Sequence, residues 1–163
     1  MKALLLLRHA KSSWKNPGLE DFERPLSDRG RKAAELIAGF IAKQNVAIDL
    51  VITSPAVRAR QTIELVLQSA RRSTELRFDQ RVYEASPERL LEIVSQIEDQ
   101  RKAVLVVGHN PGLEELLSLL VGQEEHMPTS SLAKLSLSVK KWDRVAGEKA
   151  VLDWFVKAKT LKP

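Results

Sequence analysis

Short apolar runs alternate with longer stretches of helical period along this chain. Ala3 to Leu7 is an uninterrupted apolar run, the pattern of a strand buried on both faces. Residues 28–43 place Ala33, Ala34, Ile37, Phe40 and Ile41 on one helical face, with Ser27 positioned to cap the first turn. Leu50 to Ile52, extended by Ile48 and Thr53, predicts a second buried strand. Ser54-Pro55, Ser86-Pro87 and Asn110-Pro111 each read as a helix start. A short polar side chain caps, and the proline that follows lacks an N–H that would be unpaired there anyway. The first of these helices is expected to run to about Ala70. Glu75 to Phe78 predicts a short edge strand, and Ala103 to Val107, followed by Gly108, a central one. Leu135 to Val139 alternates with a period of two, and Ala150 to Val156 predicts a final strand.

This alternation predicts an α/β fold, a three-layer α/β/α sandwich around a mostly parallel central sheet. No internal repeat, low-complexity segment or linker interrupts it, and 163 residues suit a single domain spanning 1–163. Ser12 to Pro25 is a long polar loop, a length that often marks function in a compact domain.

Composition narrows the function classes. A hydrophobic fraction of 44% and a charged fraction of 29% supply a core and argue against disorder. The absence of cysteine removes disulfides, thiol nucleophiles and thiolate-bound metals. The apolar run after Lys2 stops at Arg8, too short for a secretory signal or a membrane span, so a cytoplasmic location without membrane contact is expected. A net charge of +5 favours anionic partners or simply a solvated basic surface. With only 5% aromatic residues the chain is poorly supplied for stacking bases, and no nucleic-acid partner is expected. The sequence carries no signal for an oligomeric state.

The chemistry gathers at strand ends, where open α/β sheets bind ligands. The first strand ends in Arg8-His9, the second in Thr53-Ser54-Pro55 with Arg58 a turn later, and the Ala103 strand in Gly108-His109-Asn110. If these strands are parallel, two histidines and two arginines converge on one rim. Arginine forks suit a tetrahedral dianion. A neutral imidazole held in one tautomer can attack phosphorus, while a second histidine binds the equatorial oxygens. Neighbouring arginines disfavour a further positive charge and supply the electrostatic stabilisation, so neither metal nor cofactor is expected. Each residue alone has a plainer reading. Arg8 is then a strand-end charge, His9 a structural histidine, Arg58 a solvated helix residue, His109 a helix cap and Glu84 a loop carboxylate. His126, without supporting neighbours, reads as a surface histidine. An anion- or nucleic-acid-binding module would explain the charge but not the paired histidines.

Taken together, Leu7-Arg8-His9-Ala10, the stretch Ser54-Pro55-Ala56-Val57-Arg58-Ala59-Arg60-Gln61-Thr62 and Val107-Gly108-His109-Asn110 resemble the three motifs of the histidine phosphatase, or phosphoglycerate mutase-like, superfamily. Arg8-His9-Ala10-Lys11-Ser12, Asp21-Phe22-Glu23-Arg24-Pro25-Leu26 and His109-Asn110-Pro111-Gly112 are similar to the short SixA-type phosphohistidine phosphatases. Larger members insert a helical cap, for which this chain has little room between Thr74 and Arg101. The resemblance implies His9 as nucleophile, with Arg8, Arg58 and His109 completing the phosphate pocket. It places Glu84 where many larger members carry a general acid, and Arg24 at the pocket rim or in a loop salt bridge. It implies a phosphorylated protein as substrate, with a small phosphorylated molecule as the alternative; a mutase is disfavoured by the missing cap.

Overall fold

The structure is a computed structural model describing Met1–Pro163. Its strands are β1 (Lys2–Arg8), β2 (Leu50–Thr53), β3 (Leu76–Phe78), β4 (Ala103–Gly108), β5 (Ser131–Leu137) and β6 (Val151–Lys157). Its α-helices are α1 (Asp28–Lys43), α2 (Val57–Ser69), α3 (Pro87–Ser95) and α4 (Gly112–Val121). One six-stranded sheet forms in the order β3-β2-β4-β1-β5-β6. The first four strands in that order are mutually parallel, β5 is antiparallel to β1, and β6 is antiparallel to β5. Only β5 therefore runs against the rest.

Helices cover both faces, giving the expected three layers. The period of two in the strands sorts their side chains between two cores. Leu4, Leu6, Val104 and Val106 point to one core, where they meet Leu90 and Ile93 of α3, Leu113, Leu116 and Leu117 of α4, and Trp142. Leu5, Leu7, Leu105 and Val107 point to the other and meet Ala34, Ile37 and Ile41 of α1 and Ala59, Ile63 and Val66 of α2. That is why β1 and β4 read as unbroken apolar runs. Between β3 and β4 the chain makes only a 3-10 turn (Gln80–Val82) and α3, and no large cap is present. No helix is long and apolar enough to cross a membrane.

The expected helix starts hold unevenly. Ser27 caps α1 by accepting from Gly30 N–H at 3.1 Å, and Ser86 caps α3 by accepting from Arg89 N–H, with Pro87 as first helical residue. Ser54-Pro55 does not open α2, which begins at Val57. The reason is local: Ser54 N–H still bonds the sheet, to Val107 O at 3.0 Å, so the chain must leave β2 before it can coil. Likewise α4 begins at Gly112 with Pro111 in the cap position, although Asn110 Oδ1 still accepts from Glu114 N–H at 3.2 Å. Strand β5 starts at Ser131, earlier than its alternating stretch suggests. Ser131, Leu132 and Ala133 are all buried, so alternation appears only farther along, where every second side chain is partly open.

The 12–25 loop is ordered by contacts. Ser12 bridges to Leu26, Ser13 N–H donates to Pro25 O at 2.8 Å, and Asp21–Glu23 forms a 3-10 turn. Two glycines allow close approaches, one beside this loop and one between α4 and the segment before α3. A Cβ on Gly30 would lie 2.1 Å from Lys11 O, and one on Gly112 would lie 1.9 Å from Ala85 O. Gly39, in the exposed middle of α1, has nothing within 4 Å of its would-be Cβ. Gly39→Ala should therefore stabilise the protein by about 0.5–1 kcal/mol through helix propensity. Gly30→Ala should destabilise it by about 1–3 kcal/mol, because backbone must move. Urea midpoints moving in opposite directions for the two variants are the expected result; equal shifts would contradict the packing.

Candidate active site

The parallel pairing sets Arg8 opposite Gly108 and Thr53 opposite Val107, so β1, β4 and β2 end nearly level. His9 N–H continues the ladder to Gly108 O at 3.1 Å. His9 and His109 thus leave neighbouring strand ends together, with ring centroids 5.0 Å apart.

His9 is buried. Its Nδ1 lies 2.7 Å from Ala10 O, a carbonyl that can only accept, so Nδ1 carries the proton and Nε2 keeps a lone pair. Arg58 Nε–H donates towards that Nε2 across 3.4 Å. Burial, which outweighs the opposing bond to Ala10 O, together with nearby His109, Arg58 and Arg8, lowers the His9 pKa to about 3. His109 is lowered to about 4, by burial first and then by Arg58. Its Nε2 sits 2.8 Å from Ser54 Oγ, while its Nδ1 is buried without a partner. Arg8 donates through Nη1 to Met127 O at 3.0 Å, and its Nε is buried without a partner.

Arg58 is held end-on by Asp21. Its Nη1 donates to Asp21 O at 2.7 Å and its Nη2 to Asp21 Oδ2 at 3.0 Å, which turns Nε towards His9. Asp21 also accepts from Tyr83 OH at 2.6 Å and from Arg24 Nε and Nη2 at 3.3 and 3.2 Å. The Tyr83 bond, and after it Arg58, bring the Asp21 carboxyl down to about 2 against the opposing effect of burial. Thr62 ties the same region together. Its hydroxyl accepts from Ala10 N–H at 2.9 Å and donates to Arg58 O at 2.7 Å. Gln61 Oε1 accepts from Leu26 N–H at 2.8 Å, so the Gln-Thr pair on α2 fastens both ends of the long loop.

The structure thus brings Arg8, His9, Arg58 and His109 together. Arg24 lies in the loop, bonded to Asp21 and to Ser12 Oγ at 2.8 Å, with its guanidinium 3.5 Å over the Trp14 ring. Its observed bonds are those of the loop salt bridge. Glu84 is exposed, has a left-handed backbone (φ 54°) and lines a surface cleft with His109, Asn110 and Ser86. His126 is exposed as expected, yet it does have neighbours, Glu124 at 3.6 Å and Glu114 at 3.9 Å. No group of three or more His, Asp or Glu side chains is arranged to hold a metal ion. Sequence reasoning gave no role to Asp21, Thr62 or Tyr83, although the first two lie inside the motifs that carry the resemblance, and it missed the bond from Ser54 to His109. The available signals were a carboxylate inside a conspicuously long polar loop and a serine at a strand end.

Comparison with known proteins agrees with this geometry. The family model of the histidine phosphatase superfamily (branch 1) matches residues 4–90, which run from β1 into α3 and include His9 and Arg58. The chain belongs to the histidine phosphatase superfamily. Its second histidine, His109, lies beyond the matched segment and joins it through the β1–β4 pairing. An uncharacterised protein of Mycobacterium tuberculosis is 34% identical over 143 residues, covering 81% of this chain and 87% of that protein. Among solved structures, a candidate phosphohistidine phosphatase SixA from Agrobacterium tumefaciens is 30% identical with a TM-score of 0.82, covering 95% of this chain and 97% of that one. Another from Nakamurella multipartitia is 25% identical with a TM-score of 0.84, covering 95% of each chain.

The buried imidazoles of this histidine phosphatase make its stability depend on pH. In the unfolded chain they protonate near 6.5, whereas in the folded protein they stay neutral down to about 4 and about 3. Below 6.5 the unfolded state takes up protons that the folded state excludes, so stability present above that pH falls as pH drops. Asp21 adds to this only below the ordinary carboxylate range. Urea midpoints at about pH 7.5 and about pH 4.5 should show a clear loss for the native protein and a smaller one for His9→Gln or His109→Gln. An unchanged pH slope in both variants would contradict this account.

Proposed function

We propose that this histidine phosphatase hydrolyses phosphoryl groups through a covalent intermediate on His9, with phosphohistidine side chains of proteins as its substrates. The observation that carries the reading is the His9 ring itself: proton on Nδ1, held by Ala10 O, and lone pair on Nε2, facing Arg58. The Nε2 lone pair forms a bond to phosphorus as the bond from phosphorus to the leaving nitrogen or oxygen breaks. The leaving group keeps that electron pair and takes up a proton. Water then attacks phosphorus and gives up its proton, the P–N bond breaks, and the pair returns to Nε2 as inorganic phosphate departs.

Arg8, Arg58 and His109 supply the charge stabilisation. Ser54 Oγ accepts from Ala56 N–H at 3.2 Å and keeps its own proton free for His109 Nε2; in that arrangement the His109 proton sits on Nδ1. Arg8 Nε and His109 Nδ1, both buried and unpaired, are then ready donors for phosphoryl oxygens. The arginines do work that a metal would otherwise do. The protein substrate is supported by the uncapped site and by the two solved neighbours described above, which carry the SixA name.

His9→Ala should abolish turnover while leaving the fold intact, and an acid-labile phosphoenzyme should be trapped from the native protein alone. Full activity of the variant would defeat the mechanism. Arg58→Lys keeps the charge but loses the planar fork, and should reduce kcat about a hundredfold or more. Near-native kinetics would mean that charge alone suffices.

A small-molecule phosphomonoesterase is the second reading, favoured by the position of Glu84 on one cleft with His109. An alkoxide needs a proton to leave, whereas imidazole accepts one before departure. Glu84→Gln should slow alkyl phosphate hydrolysis much more than dephosphorylation of a phosphohistidine protein, and hardly affect aryl phosphates. Equal small effects on all three substrates would make Glu84 a bystander.

A further inference from the structure

Three buried side-chain polar atoms in the protein have no hydrogen-bond partner: Arg8 Nε, His109 Nδ1 and Ser130 Oγ. Two belong to the site already described. The third belongs to a residue fastened to the same strand end. Ser130 N–H is shared between Arg8 O at 3.2 Å and His9 O at 3.1 Å. The β1–β5 register, Lys2 opposite Leu137 through Leu7 opposite Leu132, continues to place Ser130 opposite His9. The preceding chain is pinned at Met127, whose carbonyl accepts from both Arg8 Nη1 and Asn110 Nδ2.

Serine is a poor choice here for stability. Ser130 has φ 56°, a left-handed conformation that glycine adopts without penalty. It is 2% exposed, so its unpaired hydroxyl is cut off from water, and alanine would avoid that desolvation. Its neighbour Ser131 is also buried, but Ser131 Oγ donates to Pro128 O at 2.6 Å. A buried position that forgoes stability in two ways, beside the reacting histidine, is where a functional group is expected.

We infer that the Ser130 hydroxyl is a further donor to the phosphoryl group, acting with Arg8 Nε and His109 Nδ1 on its non-bridging oxygens. The inference rests on the His9 reading and adds a substrate-contacting residue from β5's side of the site. A hydroxyl brings no charge, so it strengthens phosphate binding without further loading a site that already holds two arginines. Because phosphoryl oxygens are charged, loss of this donor should reduce binding and rate by about tenfold to a hundredfold.

The experiment compares Ser130→Ala, Ser130→Gly and Ser131→Ala with the native protein. It reads kcat and KM on p-nitrophenyl phosphate, the inhibition constant of orthovanadate and the melting temperature. Both Ser130 variants should lose kcat/KM and orthovanadate affinity, while Ser130→Gly melts higher than native. Ser131→Ala should show the reverse pattern, a lower melting temperature with native kinetics. Native kinetics and orthovanadate affinity in Ser130→Gly would overturn the inference. So would a loss confined to Ser130→Gly, which would assign the effect to backbone conformation. Absence of an acid-labile phosphoenzyme in the native protein would instead defeat the His9 reading, and direct orthovanadate binding would still decide the role of Ser130.

Discussion

The parallel hydrogen-bonded pairing of β1, β4 and β2 is the constraint on which everything else depends. It brings residues from three distant parts of the chain to one edge with no freedom to slide. A slip of one residue would turn Leu5 and Leu7 to the opposite core and move His9 off the rim at once. Packing of the two cores and alignment of the two imidazoles are therefore enforced by the same bonds. The unbroken burial of β4 and the near-complete burial of β1 set how much free energy resists such a slip.

Gathering positive groups at that edge is unfavourable unless it is offset. The protein offsets it asymmetrically. Arg58 is answered by the Asp21 carboxylate, itself braced by Arg24 and Tyr83. Arg8 has only a carbonyl partner for Nη1, with Glu114 near enough to counter part of the effect of burial on it. Both histidines stay neutral because burial, and after it the neighbouring positive groups, disfavours the charged form. One arginine is thus oriented by Asp21 while the other keeps a buried Nε with no partner.

Most of the architecture was legible because it is repetitive. Helical and strand periods, buried runs and Ser-Pro starts repeat a single physical rule over many residues. The four central site residues were legible because each stands directly at, or one turn beyond, a strand end. The parts that were not legible are single contacts made across the fold. Asp21 looks like any polar loop residue until Arg58 is seen beside it. Ser54 looks like a helix cap, but its backbone remains in the sheet and its hydroxyl faces His109. Arg24 looks equally like a rim or a loop residue; it bonds Ser12 and Asp21, and through Asp21 it stands one contact away from Arg58. The displaced start of β5 has the same origin, since burial on both faces erases the alternation that would announce it.

The short crossover between β3 and β4 has a kinetic consequence. With only one turn and one helix there, no helical cap lies over the strand ends, which are covered only by the 12–25 loop and Tyr83. If His9 carries the phosphoryl group as proposed, the water that releases it arrives without displacing a helical cap. Without a cap, the cycle proposed above would need no lid to open before the product leaves. An uncapped rim of this kind places selectivity in what docks against it rather than in enclosure, if the proposed protein substrate holds.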